Sequence, residues 1–357
     1  MNDLVQRTAL GIGSSAPMQR LLRFYQRQGV LPATETVEDD SPATETVEDD
    51  PPATDVPAAP TDAALAQRVA LLESLWEDVL PRVQPALSDL TEEPPDDDLP
   101  VLDRRVDPEG TLTPDQAHWR QQGFVIKQRF LPDDLLDAYW AVRSAVPEDH
   151  AWFCNVPYMH IPEARALALY PPLVALLDEL IGEPMAVNLN LTGIVSTERN
   201  WHQDDYLNPP HVNGHYVAVW MAVGDIDPDS GPFQYVPGSH RWPLLRSDRV
   251  RMFLPDDQRD DPNWPRLTES FLDDLLEDEI ARRQAAVQTF VPKRGDLLVW
   301  HSRLVHRGSF PRTPGMRRPS FIAHYTAASH WVGHLGIAED PDGGLYCLSD
   351  EPLDNRV

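Results

Sequence analysis

The sequence predicts a mainly β domain with flanking helices (α+β), a sandwich or barrel, behind a long acidic N-terminal region. From Met185 onward, short β-rich runs alternate with Gly, Pro, Asn and Asp, the pattern of many short strands joined by turns. Between Leu112 and Ile181 the apolar residues fit helices around one short strand. The first 111 residues carry 8 basic and 23 acidic side chains, net −15 of the chain's −27.

Residues 1–30 are mildly basic, with four Arg and one Asp, and read as a leader with a short helix near Met18–Gln28. Residues 31–60 hold a direct repeat: PATETVEDD occupies Pro32–Asp40 and Pro42–Asp50, and a decayed copy begins at Pro52. Such a segment has almost nothing to bury and cannot offset the entropy of ordering, so it is expected to be a solvated, disordered linker. Within residues 61–90, Thr61 caps a helix to about Leu80. Leu65, Val69, Leu72, Trp76 and Val79 form one stripe there. That stripe either packs on the main domain or meets a protein partner. Residues 91–111, opening TEEPPDDDLP, read as a second acidic linker.

The main domain is expected over 112–335. A helix precedes a break at Gly123, strand Phe124–Lys127 follows, a second helix starts near Asp133, and a third, Tyr170–Ile181, closes at Gly182. Strands are expected at Ala186–Leu191, Tyr216–Val223, Phe233–Val236, Asp296–Trp300 and Ser320–Thr326. A helical insertion, 268–287, places Leu272, Leu275, Leu276 and Ile280 on one face, either as a lid or as external decoration. Residues 336–357 read as a tail.

The acidity repels polyphosphates and anionic headgroups, which argues against nucleic acid and membrane surfaces and leaves a small-molecule substrate. Two cysteines, Cys154 and Cys347, cannot build a disulfide framework or a thiolate zinc site. With no 18-residue apolar run and no signal-peptide pattern, a cytoplasmic location is expected.

Nine of the twelve histidines lie at or after His202, which puts the candidate chemistry in the β-rich half. In Trp201-His-Gln-Asp-Asp205, strand alternation would project His202 and Asp204 to one side and Gln203 to the other. The stretch Gly295–Arg318 contains a strand, then His301 and His306, then Arg317 eleven residues after His306. A second histidine completes a two-histidine, one-carboxylate set that leaves three positions of an octahedral iron open, which suits Fe(II) oxygen chemistry. A nearby guanidinium can clamp the far carboxylate of a dicarboxylate cosubstrate.

These blocks resemble the phytanoyl-CoA dioxygenase family from about Leu112 to Ala327. The shared features are W-H-Q-D at Trp201–Asp204, Trp220 eighteen residues after His202, P-G-S-H at Pro237–His240, G-D-L-L-V-W-H-x4-H at Gly295–His306, and Arg317. The resemblance implies a double-stranded β-helix core, Fe(II), 2-oxoglutarate as cosubstrate and O2. It also implies His202, Asp204 and His306 as ligands, Arg317 on the distal carboxylate, and Trp220 and Gln203 at the cosubstrate pocket. Ser309 sits one position from where the family often has a cosubstrate-binding serine. The ligand separation is longer than usual for the family, and the 268–287 insertion accounts for it. Asp204 implies hydroxylation or another oxidation that needs no bound halide, since related halogenases lose that ligand.

His301 competes with His306, but lacks an arginine eleven residues onward. Arg318 competes with Arg317, because Arg318-Pro-Ser320 mimics the R-x-S motif of a sister family. Asp205 is expected at the surface or behind the ligands. His211, His215, His240, His324 and His330 stay unassigned, and Arg199, Arg303 and Arg307 flank the ligand blocks where they could steer an anionic substrate. Two rival functions use the same residues: a non-catalytic metal-binding scaffold, and a zinc hydrolase.

Overall fold

The computed structural model describes residues 85–146, 155–196 and 198–350; the leader, the repeats and the helix expected over 61–80 lie outside them. Ten strands follow in chain order: β1 (Phe124–Lys127), β2 (Met185–Leu191), β3 (Tyr216–Ala222), β4 (Phe233–Tyr235), β5 (Gln288–Phe290), β6 (Leu297–His301), β7 (His306–Gly308), β8 (Ser320–Ala327), β9 (Ile337–Glu339) and β10 (Leu345–Cys347). Seven make one sheet in the order β1-β6-β3-β8-β2-β10-β9, and three make a smaller one, β5-β4-β7. All pairings are antiparallel except β10 with β2.

Strand β3, between β6 and β8, is buried at all seven positions, because both faces of the large sheet are covered. Val217, Val219 and Met221 point outward with Phe321, Ala323 and Tyr325 of β8, and they pack among residues of the flanking helices. Those helices are α1 (Pro114–Gln122), α2 (Asp133–Arg143), α3 (Pro157–His160), α4 (Pro162–Ala168) and α5 (Pro171–Ile181). The other face carries Ala218, Trp220 and Ala222 with Leu298 and Trp300, packed on Phe233, Tyr235 and Phe290 of the small sheet. Two facing sheets with helices on one outer side make a jelly-roll core within an α+β fold.

Local chemistry sets the boundaries. Thr113 caps α1 by accepting from the Gln116 N–H at 3.2 Å, while the Gln116 side chain returns a bond to the Thr113 N–H at 3.0 Å. Gly123, at φ +75°, ends that helix, and a Cβ there would lie 2.4 Å from the His240 ring, so only glycine fits.

Four segments depart from the sequence expectations. The stretch 91–111 is not a free linker: Leu99 and Leu102 are buried, Leu90 just before it is fully buried, and Asp103 meets His301 at 2.7 Å. The apolar anchors were hidden among the acidic residues. The expected tail is not free either, since β9 and β10 extend the large sheet beside β2. The insertion helix α7 spans Trp264–Arg283, four residues earlier than expected. Pro265 sits in its first turn and Gln284, at φ 52°, ends it. A short helix, α6 (Ser247–Arg251), precedes it. Among the described residues no helix is long and apolar enough to cross a membrane.

Candidate metal centre

His202 and His306 exchange both backbone hydrogen bonds, each 3.0 Å, in an isolated antiparallel bridge. The expected strand through His202 and Asp204 is therefore replaced by a one-residue bridge and a turn. Asp204 is helical in conformation (φ −83°, ψ −27°), and its N–H bonds the Ser302 carbonyl at 2.7 Å. Convergence comes from this tie between the 201–205 and 302–306 segments rather than from strand alternation.

Asp204 Oδ1 lies 3.6 Å from Nε2 of both His202 and His306, and the three donor atoms fall within 4.8 Å of one another. All three residues are buried. The tautomers follow from the neighbours. His202 Nδ1 sits 2.6 Å from the Asn200 carbonyl and His306 Nδ1 sits 2.8 Å from that of Leu304. A carbonyl only accepts, so each Nδ1 carries the proton and each Nε2 presents a lone pair. Burial, reinforced by the Arg199 charge, holds His202 well below the usual imidazole range. Burial also lowers His306, although Asp204 works the other way. Neutral imidazoles are what metal coordination requires.

The carboxylate is oriented as well. Trp300 Nε1 donates to Asp204 Oδ2 at 2.9 Å, leaving Oδ1 for the histidine side. Phe233 stacks on the His306 ring at 5.1 Å and Trp300 lies at 5.3 Å. Two imidazole nitrogens and one oriented carboxylate oxygen suit a ferrous ion with open positions, so the residues present fit the metal expected from the sequence.

The two arginines part company. Residues 318 and 320 continue the β8 ladder, their N–H groups bonding the Ile194 and Gly193 carbonyls. Alternation then puts Arg318 on the inner face with Ile322 and His324. Arg318 is 3% exposed, its Nη1 donates to the Gly231 carbonyl at 2.7 Å, and its Nε has no partner. Burial pulls it down to about 10. Arg317 faces the other way, exposed, over the Trp140 ring at 5.6 Å. Gly231, at φ +76°, lets the Ser309 segment pass close by: a Cβ there would sit 2.5 Å from the Ser309 carbonyl.

Of the other candidates, Trp220 lies on the inner face, 1% exposed, with its Nε1 unpartnered. The Gln203 side chain accepts from the Leu245 N–H at 3.3 Å, and the Ser309 hydroxyl donates to the Pro232 carbonyl at 2.6 Å. Both hold backbone. His301 is away from the triad: Arg303 N–H donates to its Nδ1, so Nε2 bears the proton that Asp103 accepts. Asp205 is buried, contrary to a surface role, and accepts from Gly214 N and Ser302 Oγ, each at 2.9 Å. Arg199 pairs with Glu269, Arg303 donates to the Trp242 carbonyl, and Arg307 stacks on Trp201. His324, which the sequence left unassigned, lies 5.8 Å from Trp300 on the inner face with its Nδ1 unpartnered; burial takes it down to about 4. Nothing in its own sequence neighbourhood marks it, and only the β8 register does.

A family model described as phytanoyl-CoA dioxygenase (PhyH) matches residues 108–319. The peroxisomal phytanoyl-CoA dioxygenase of Rattus norvegicus is 25% identical over 161 residues, 43% of this chain, and the match spans 40% of that protein's own length. Among solved structures, apo EctD from S. alaskensis is 17% identical, with a TM-score of 0.48, over 73% of this chain and 94% of that one. The epimerase SnoN, solved in complex with Fe3+, alpha ketoglutarate and nogalamycin RO, is 19% identical, with a TM-score of 0.46, over 66% of this chain and 94% of that one.

Proposed function

The chain belongs to the phytanoyl-CoA dioxygenase family, and from that premise we propose that it is an Fe(II)- and 2-oxoglutarate-dependent dioxygenase that hydroxylates an unactivated C–H bond of a small-molecule metabolite. The observation that carries this reading is the buried meeting of His202, Asp204 and His306, with both imidazoles locked to present Nε2. Iron held there would supply the oxidising chemistry, which couples conversion of 2-oxoglutarate and O2 to succinate and CO2 with oxidation of the substrate.

The chain's own part is to hold and to orient. Asn200 and Leu304 carbonyls fix the ring orientations, and Trp300 fixes the carboxylate. We assign the distal carboxylate of 2-oxoglutarate to Arg318 rather than Arg317. A buried guanidinium with an unpartnered Nε is costly unless an anion completes it, whereas Arg317 is exposed. Trp220 and His324 supply further unpartnered N–H or nitrogen positions on the same inner face. Neither a zinc hydrolase nor a non-catalytic scaffold has a use for that arginine.

The test is substrate-dependent succinate release against a panel of metabolite classes. Asp204→Ala should abolish it, and undiminished turnover in that variant would overturn the ligand assignment.

A further inference from the structure

His301, which the iron triad does not use, is held from behind by a residue of the acidic segment that precedes the domain. Leu99 and Leu102 are buried and carry that segment onto the domain. Arg120 of α1 clamps it there, donating to the Leu102 carbonyl at 2.8 Å and to the Arg104 carbonyl at 2.9 Å. Asp103 stands between the two clamped carbonyls, at the end of the 3-10 turn Val101–Asp103. Its carboxylate is thereby delivered against His301, whose ring lies 5.4 Å from that of Trp119 and 5.3 Å from that of His240.

Asp103 Oδ2 accepts from His301 Nε2 at 2.7 Å, and the two side chains are 5% and 1% exposed. A short bond to a charged acceptor fixes the ring. With its proton on Nε2, His301 offers Nδ1 to the Arg303 N–H at 2.9 Å. The His301 carbonyl accepts from the Leu304 N–H at 2.8 Å. The turn 301–304 is thus closed from its first residue. Two carbonyls of that turn reach the iron triad. Ser302 accepts from the Asp204 N–H at 2.7 Å and from the Asp205 N–H at 3.0 Å. Leu304 accepts from His306 Nδ1 at 2.8 Å. One carboxylate and one imidazole of the triad therefore take their placing from the same four residues.

We infer that Asp103 is a positioning residue for the metal centre. Through His301 it sets the 301–304 turn, and through that turn the seat of Asp204 and the ring orientation of His306. The inference deepens the oxygenase reading and rests on it for the identity of the ligands. Asp103 touches no ligand itself, so its removal misplaces donors rather than deleting one. A ligand set whose supporting contacts loosen holds its ion less tightly and in altered geometry.

The test titrates tag-free full-length protein with Co2+, whose absorption bands report ligand geometry without any turnover. Bands lost in Asp204→Ala are those of the triad. Asp103→Ala should bind Co2+ about tenfold or more weakly and shift those bands. Asp103→Asn still offers His301 an uncharged acceptor and should lose less. The double variant Asp103→Ala/His301→Ala should be no weaker than the worse single one, because both cut one chain of contacts. In the metal-free proteins, hydrogen exchange of the Asp204 N–H should quicken in Asp103→Ala while the β3 and β8 amides stay protected. Wild-type affinity, spectrum and exchange in Asp103→Ala, or in Asp103→Asn if the alanine variant does not fold, would overturn the assignment. Additive losses in the double variant would overturn it too, since Asp103 would then act by another route. Failure of the oxygenase reading looks different: Asp204→Ala would bind Co2+ like the wild type, and the exchange rates alone would then decide whether Asp103 sets the turn.

Discussion

Trp300 sits on a strand that the sequence marks as apolar, yet its indole N–H makes a polar contact, the bond to Asp204 Oδ2. Trp300→Phe keeps an aromatic ring beside Phe233 and His306 but removes that donor. Groups that orient a metal ligand from behind typically contribute about 10- to 100-fold in metal affinity. Fe(II) titration of the variant should show a loss of that size with an unchanged far-UV spectrum, and equal affinity would mean that the indole only packs. The arginine assignment is tested the same way. Arg318→Gln removes a charge-assisted contact of about 1.5–3 kcal/mol, so the 2-oxoglutarate requirement should rise roughly 10- to 150-fold. Arg317→Gln should leave it close to the wild type, and the reverse pattern would restore the sequence reading. At this scale the triad residues were legible, because H-x-D, a distant histidine and a basic residue stand in recognisable order. Which of the adjacent arginines turns inward was not, since one residue of register exchanges the two faces of a strand. Spacing in sequence does not report where the ladder begins.

α7 carries the same lesson for an element. Its apolar face was evident from Leu272, Leu276 and their neighbours, but not what that face meets. It packs on Trp201, Tyr206 and Val305, the residues flanking the proposed ligands, and Asp273 accepts the Trp201 N–H at 2.9 Å. Glu269 pairs with Arg199 at 3.2 Å. The helix therefore buttresses the ligand-bearing segments from the side. Asp273→Ala would strand a buried N–H, at a cost of about 1–3 kcal/mol. Urea unfolding should register that loss, and Fe(II) binding should weaken with it as the His202 segment loosens. Full stability with normal metal affinity would show that α7 merely decorates the fold. The strands were legible where they are long and apolar, as in β3 and β8. The three-residue strands β5, β7, β9 and β10 were not, because they are held by partners distant in the chain rather than by a local period.

For the whole molecule, the net charge of −27 invites the expectation that acidification stabilises the fold by relieving self-repulsion. The buried histidines oppose it. Burial, and secondarily His301, hold His240 down to about 3, and burial holds His324 down to about 4. Burial lowers His202, His215 and His306 as well. In each case the unfolded chain regains an ordinary imidazole near 6.5 and binds a proton that the folded chain refuses. Stability from these groups is therefore fully present above about pH 6.5 and is lost as pH falls toward their native values, by up to about 1.4 kcal/mol per pH unit for each histidine. Most carboxylates still hold their charge between pH 6.5 and 5, so repulsion is little relieved in that window and the histidines decide the sign. Asp103 adds a separate loss at lower pH. Burial alone would raise it, but His301, His240 and Arg303 together outweigh burial and lower it in the native state. Urea midpoints of the chelator-treated protein should thus fall steadily from pH 6.5 to 5. His240→Asn, whose side chain cannot take up a proton on unfolding, should flatten the slope by up to one proton. A midpoint that rises across that range would mean that charge repulsion, not imidazole burial, governs the acid limb.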